Sequence, residues 1–317
     1  MKIAMIGAGA MGCRFGLALI ESGAEVVLCD IWKEHVDAIN KNGLCVVRQG
    51  REEHIKIQAT TEIKSVGKPD AIIIFTKSQH TEAALKQALE IMDSNTPVAT
   101  LQNGLGGLSV IEDYVGKERT IAGITNYQSD LLAPGKISLG EEKPIFYARL
   151  KALGEGCKDI CDEICDLLKT AGMNCEISDD IMKEIWEKLA FNNAMNLTTA
   201  LIRLRDGYVL QSQHGFELSS KIAREVCDVG LAEGIDVDYD SVLRTFEKIK
   251  ESMHITSMLQ DVLQMRQTEI DAICGAVVKK AFKHGITTPY LHTLYSLIKV
   301  MEANYDNQIS QLGGDVL

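Results

Sequence analysis

The 317-residue chain has no apolar run approaching the roughly 20 residues of a membrane span. It also lacks the basic excess of a nucleic-acid binder. Its 44 acidic and 33 basic residues give a net charge of −11, whereas a nucleic-acid partner wants a basic face. The nine cysteines form no CxxC pair and no paired Cys/His metal spacing, and an odd number does not read as a disulfide framework. Cys157, Cys161 and Cys165 recur at i, i+4, i+8. Three thiolates on one helix are poor geometry for a tetrahedral metal site. No metal is therefore expected, and the cysteines read as small buried apolar residues in a reducing cytoplasm. There is no internal repeat or low-complexity tract. The length suggests about two domains, and 46% hydrophobic residues suffice for ordinary globular cores.

The N-terminus, MKIAMIGAGAMG, has the lysine and apolar run of a signal peptide, but its glycine spacing and the early Arg14 fit a strand and turn better. Lys2 to Ile6 is a short apolar run. Gly7-Ala8-Gly9-Ala10-Met11-Gly12 follows, then a helical pattern, then a second apolar run from Glu25 to Cys29 closed by Asp30. The order is strand, G-x-G-x-x-G, helix, strand, acid. In that context the motif points to a dinucleotide site. Gly7 permits the tight turn, Gly9 lets backbone approach a pyrophosphate, and Gly12 lets helix and strand pack closely. Free N–H groups at the helix start face the phosphates. Asp30 is placed to accept from ribose hydroxyls, which leans towards NAD, because a 2′-phosphate would meet a like charge. Lys33 is the nearby cation, and an N-cap role for Asp30 is the competing reading.

Leu44 to Val47 and Ile55 to Ile57 flank a charged stretch and suggest a hairpin insertion. Ala71 to Phe75 reads as a central parallel strand ending at Thr76-Lys77. Pro97 to Leu101 reads as another, ending at Gln102-Asn103-Gly104. Ligands of open α/β sheets bind beyond the carboxyl ends of strands, which makes Thr76, Lys77 and Asn103 candidates. A further strand over Ile121 to Thr125 and a hairpin turning at Pro134-Gly135 are expected. Beyond about residue 151 the patterns are helical. The expected fold is α/β: a Rossmann-type doubly wound parallel sheet, residues 1–178, then an all-helical domain, residues 179–317.

Within the helical part, Ile185 to Leu204 carries Lys188, Asn192 and Asn196 four residues apart. That spacing puts them on one helical face. The surrounding surface is largely apolar, as in a buried helix, so the three polar groups need partners. A satisfied core network and a substrate cradle with a lysine acid are both open. Ser257 with Gln260, and Thr268 with Asp271, fit capping boxes. Glu269 would then sit in a first helical turn, favoured by the helix dipole.

Several motifs together resemble the ketopantoate reductases (2-dehydropantoate 2-reductases) nearly end to end. They are GAGAMG, Thr76-Lys77, Gln102 to Gly104, PGKI at Pro134 to Ile137, WEKLAFNNAMN at Trp186 to Asn196, SMLQD at Ser257 to Asp261 and TEID at Thr268 to Asp271. The resemblance implies a Rossmann domain followed by a helical domain, with the active site in the cleft between them. It implies reduction of ketopantoate to pantoate with NAD or NADP, in pantothenate and coenzyme A biosynthesis. Lys188 would be the general acid, with catalytic Glu269 beside it and binding substrate. Asn192, Asn196 and Ser257 would line the substrate site, Asn103 would lie near nicotinamide and substrate, and Lys77 at the cofactor. A small 2-keto acid as ligand and a homodimer are further implications. Elementary chemistry agrees: hydride arriving at a ketone leaves an alkoxide that an ammonium both stabilises and protonates.

The chain departs from the family pattern at Asp206-Gly207, near where the best-known members place a substrate-touching asparagine, and at Ile273-Cys274-Gly275, where Ile-Asn-Gly is frequent. The alternative function is an NAD-dependent D-2-hydroxyacid dehydrogenase acting on another branched or aromatic 2-keto acid. A dinucleotide sensor that lost catalysis would not need Lys188, Asn192, Ser257 and Glu269 together.

Overall fold

The computed structural model describes residues 1–140 and 145–308. The chain divides into two compact units, Met1–Ile181 and Met182–Leu317.

The first unit is built on an eight-stranded sheet. Its strands are β1 (Lys2–Ile6), β2 (Glu25–Cys29), β5 (Gln58–Thr60), β6 (Ala71–Ile74), β7 (Val98–Thr100), β8 (Thr120–Thr125), β11 (Ala148–Ala152) and β12 (Cys175–Ile177). They lie in the order β12-β11-β8-β7-β6-β1-β2-β5. All pair in parallel except β11 against β8. Chain direction across the sheet reverses beside β1, because β2 lies on one flank and β6 on the other. That switch point is where doubly wound sheets open a crevice for ligands.

Strand sequences are apolar on both faces because both faces are covered. Ile3, Met5 and Ile73 pack into one core with α1 (Ala10–Glu21) and α5 (Lys158–Thr170). Their neighbours Ala4, Ile6, Ile72 and Ile74 pack into another with α3 (Thr81–Ala88) and α4 (Gly106–Val115). The two-residue period of a strand divides the cores. All nine cysteines are free and buried.

A smaller sheet, ordered β4-β3-β10-β9, holds β3 (Leu44–Arg48), β4 (Arg51–Ile55), β9 (Asp130–Ala133) and β10 (Lys136–Ser138). The expected hairpins are both present, but β4 runs through the charged stretch rather than Ile55 to Ile57. An edge strand with exposed side chains tolerates such residues. Helix α2 (Lys33–Asn42) joins β2 to this sheet.

Among its described residues the second unit contains no strand. It begins with α6 (Ile181–Ile202), then α7 (Asp206–Gln211), α8 (Gln213–Ala232), α9 (Tyr239–Lys248) and α10 (Ser257–Leu263). A π-helical turn, Asp271–Gly275, leads into α11 (Ala276–Lys283) and then α12 (Pro289–Glu302). Helix α11 stops at His284-Gly285, with Gly285 at φ +66°, as such stops require.

Candidate active site

The glycine-rich turn leaves β1 and enters α1. Gly7 has φ +92°, and a Cβ there would lie 2.5 Å from the Thr76 backbone nitrogen. A Cβ on Gly12 would collide with the Gly7 carbonyl oxygen at 1.9 Å. Both positions therefore exclude every larger residue. Gly9 differs: a Cβ there would meet nothing within 4 Å. Its bare α-carbon borders open space, the room a pyrophosphate needs. Gly9 caps α1 without a side-chain bond, and the first turn holds no acid, so the leading N–H groups at Ala10 and Met11 remain for an anion. The loop fits a dinucleotide.

Asp30 stands at the end of β2. Its Oδ2 accepts from the Ala8 N–H at 2.8 Å and its Oδ1 from the Trp32 N–H at 2.9 Å. The residue capping α2 is Trp32, so Asp30 is not its N-cap. The carboxylate ties the glycine-rich turn to the β2 loop, and each oxygen keeps a lone pair for a further donor.

Thr76 and Lys77 follow β6, and Asn103 lies three residues beyond β7. These positions are at the carboxyl ends of neighbouring strands. Gln102 knits the loops together. Its Nε2 donates to the Thr76 carbonyl and to Thr81 Oγ1, and its Oε1 accepts from Thr100 Oγ1 at 2.9 Å. Gly107 leaves room for it, since a Cβ there would fall 2.3 Å from Gln102 Oε1. Gln102 was visible only as part of the QNG motif.

In the second unit, α6 presents Lys188, Asn192 and Asn196 along one face, about 40° apart per step. Lys188 and Asn192 are half-buried and Asn196 is buried. Burial lowers the Lys188 ammonium's pKa, the Glu269 carboxylate limits the fall, and the balance lies at about 8. A neighbouring negative charge favours the ammonium, and burial opposes it. The lysine therefore titrates closer to neutrality than an exposed one would.

The two capping boxes form differently from the expectation. Thr256, not Ser257, caps α10, accepting from the Leu259 N–H. Thr256 Oγ1 also meets Thr199 Oγ1 of α6 at 2.7 Å. Ser257 becomes the first helical residue and is exposed. Thr268 Oγ1 accepts from the Ile270 N–H, and its own N–H is held by Glu302. Asp271 turns instead to Tyr295 Oη at 2.6 Å and Lys299 Nζ at 2.9 Å. Glu269 therefore precedes the helix, its carbonyl accepting from Ala272 and Ile273. The π-helical turn follows at once, a distortion frequent at functional sites.

Asn193, fully buried, escaped the sequence reading. Its Nδ2 donates to Leu189 of its own helix at 2.9 Å and to the Ile273 carbonyl of the π-turn at 3.2 Å. It anchors the segment that carries Glu269 to the helix that carries Lys188. Nothing in the spacing separates it from Asn192 next door.

Asp206 is buried and occupied. It accepts from the Gly207 N–H at 2.8 Å and Ser252 Oγ at 3.2 Å, with His254 Nδ1 at 3.6 Å. These contacts all lie within the second unit. Elsewhere, Cys45, Glu52 and His54 bring ligand atoms within 4.8 Å of one another. The Lys136 ammonium already neutralises Glu52 there, and no metal is assigned.

A doubly wound sheet with this glycine turn, followed by a helical unit bearing a depressed-pKa lysine beside a glutamate, defines an oxidoreductase that uses a nicotinamide cofactor. Residues 3–151 match the family model described as ketopantoate reductase PanE/ApbA, and residues 180–302 match its C-terminal counterpart. The chain belongs to the ketopantoate reductase family. A 2-dehydropantoate 2-reductase of Streptococcus pyogenes serotype M18 (strain MGAS8232) is 33% identical over 306 residues, 96% of this chain and 98% of that protein. One from Pyrococcus abyssi (strain GE5 / Orsay) is 32% identical over 308 residues, again 96% and 98%. Among solved structures, D-mandelate dehydrogenase with NADH and anilino(oxo)acetate superposes with a TM-score of 0.91 at 32% identity, covering 96% of this chain and all of that one. A PanE/ApbA family ketopantoate reductase from Ralstonia eutropha JMP134 gives 0.87 at 25% identity, covering 97% of this chain and 100% of that one.

Proposed function

We propose that this chain reduces 2-dehydropantoate to pantoate, with Lys188 as the proton donor. The observation carrying the reading is the pairing of Lys188 with Glu269 on the face that also bears Asn192 and Asn196. A bound dihydronicotinamide supplies the hydride. Lys188 Nζ holds a proton at the ketone oxygen, stabilises the developing alkoxide and releases that proton to it. Asn192, Asn196 and Ser257 donate to the substrate carboxylate and hydroxyl, and Glu269 accepts from the hydroxyl while keeping the lysine charged. Residues 1–178 hold the dinucleotide through Gly7 to Gly12, Asp30, Thr76, Lys77 and Asn103, with NAD favoured over NADP by Asp30. Residues 179–317 hold the substrate.

A second reading keeps the chemistry and changes the substrate: a D-2-hydroxyacid dehydrogenase for another branched or aromatic 2-keto acid. The likeness to D-mandelate dehydrogenase favours it. Nine free, buried cysteines support a reducing cytoplasm, and the family resemblance supports a homodimer. Oxidation of NADH and of NADPH, followed against ketopantoate, benzoylformate and branched aliphatic 2-keto acids, tests the assignment. The highest kcat/KM on ketopantoate supports the first reading, and the highest on benzoylformate the second. Dinucleotide binding without turnover of any keto acid overturns both.

A further inference from the structure

Three residues distant in sequence, Cys13, His35 and Gly135, form a one-way chain of hydrogen bonds ending on the glycine-rich turn. Gly135, in the Pro134-Gly135 turn of the second hairpin, donates its N–H to His35 Nδ1 at 2.9 Å. An accepting Nδ1 carries no proton, so the proton of the neutral ring sits on Nε2. That nitrogen faces Cys13 Sγ at 3.7 Å. The Cys13 thiol in turn donates to the Ala8 carbonyl at 3.0 Å. His35 and Cys13 are almost fully buried, and the Trp32 ring stacks on His35 at 5.3 Å. Burial holds the Cys13 thiol far above its ordinary range, keeping it a donor. Gly135 has φ +71° and approaches Ala38 of α2 so closely that a Cβ would lie 2.8 Å from the Ala38 Cβ. The backbone there can reach His35 only because it is glycine.

The consequence follows from the planarity of the peptide bond. In a trans peptide the C=O of one residue and the N–H of the next point in opposite directions. Drawing the Ala8 carbonyl inward onto Cys13 therefore turns the Gly9 N–H outward. Gly9 is the residue whose missing Cβ borders open space. Asp30 holds the other side of the same residue through the Ala8 N–H. Both peptides flanking Ala8 are thus fixed before any ligand arrives, and preorganised donors cost no ordering on binding.

We propose that Cys13 and His35 are positioning residues for the pyrophosphate of the dinucleotide, acting through the orientation of the Ala8–Gly9 peptide. The proposal rests on the glycine-rich turn being the pyrophosphate site. It also gives the PGKI segment a role, since its glycine sets the tautomer of His35. Protonation of His35 removes the acceptor that Gly135 uses, so the arrangement needs the neutral ring. Asp30 is the charged group facing His35, and together with a hydrogen bond to the Ala8 backbone it draws a proton towards the ring. Burial opposes this more strongly and moves the pKa below the ordinary histidine value.

Calorimetric titration of the full chain with NAD⁺ and with NADP⁺ tests this. Cys13→Ala combined with His35→Leu should weaken the preferred dinucleotide about tenfold, the size of one well-aimed hydrogen bond to an anion. Cys13→Ser and His35→Gln keep a donor and an acceptor in place and should stay within about threefold of the parent. Parental affinity should hold from pH 8 down to about 6.5 and fall only below that, as His35 takes up its proton, and the His35→Gln profile should be flatter. If the double variant does not fold, Cys13→Ala alone is compared with Cys13→Ser. A merely structural role predicts lower melting temperatures with dissociation constants within twofold of the parent and superimposable pH profiles, and that result overturns the proposal. A parent that binds neither dinucleotide removes the turn as pyrophosphate site, and the inference with it. A parent that binds while the variants bind equally well removes the inference alone.

Discussion

Glu269 acts on Lys188 directly: burial lowers the lysine's pKa to about 8, and the Glu269 carboxylate limits the fall. The sign of this balance fixes the pH behaviour. In the proposed mechanism ketone reduction uses the ammonium, so kcat/KM for reduction should be highest below pH 8 and decline through a single-proton step as pH rises past about 8. Oxidation of the hydroxy acid uses the neutral amine and should rise through the same step. Initial rates in both directions between pH 6 and pH 10 check this. Parallel profiles in the two directions would exclude Lys188 as the titrating group.

Replacing the carboxylate separates a binding role for Glu269 from a helix-terminal one. Glu269→Gln removes the charge that raises the lysine's pKa, so the descending limb of the reduction profile should move to lower pH. Catalytic efficiency should fall by at least tenfold with melting close to the parent, because the pair is only half-buried and the lost carboxylate is the one proposed to meet substrate and lysine. A dipole role alone predicts a stability loss of about 1 kcal/mol or less with unchanged kinetics. Melting temperature and kcat/KM measured on the same preparation decide between them.

If Asp30 faces the ribose as proposed, it sets the cofactor preference. Its carboxylate should favour NADH, since a 2′-phosphate would approach a like charge. The Ala8 and Trp32 contacts make alanine a poor probe, because it would also loosen the turn. Asp30→Asn removes the charge and keeps one of the two acceptors, so it disturbs the turn less than alanine. The ratio of kcat/KM for NADH over NADPH should fall by about tenfold in that variant. A parent that prefers NADPH would contradict the ribose role.

Much of the fold is legible because local chemistry dictates it. Gly7 and Gly12 occupy places where a Cβ would strike backbone, and the apolar strands Ile3 to Ile6 and Ala71 to Ile74 have cores on both faces. The polar face of α6 follows from a four-residue spacing alone. What could not be read depends on distant partners. Arg51 to Ile55 forms a strand because β3 pairs with it, despite its charge. The cap of α10 moved one residue to Thr256, where Thr199 waits 57 positions earlier. Asp271 was drawn to Tyr295 and Lys299. The shared face of Lys188, Asn192 and Asn196 was legible by period, whereas Asn193, Gln102 and His35 owe their places to contacts that no local pattern announces.

The central claim is that Lys188 delivers the proton, and the most direct measurement is the single-turnover rate of Lys188→Ala with saturating cofactor and keto acid. The account predicts a fall of about 10²-fold or more, the usual size of acid catalysis, with dinucleotide affinity unchanged. Lys183 lies five positions earlier, about 140° round the helix, and should not substitute. A Lys188→Ala enzyme within tenfold of the parent rate would contradict the account.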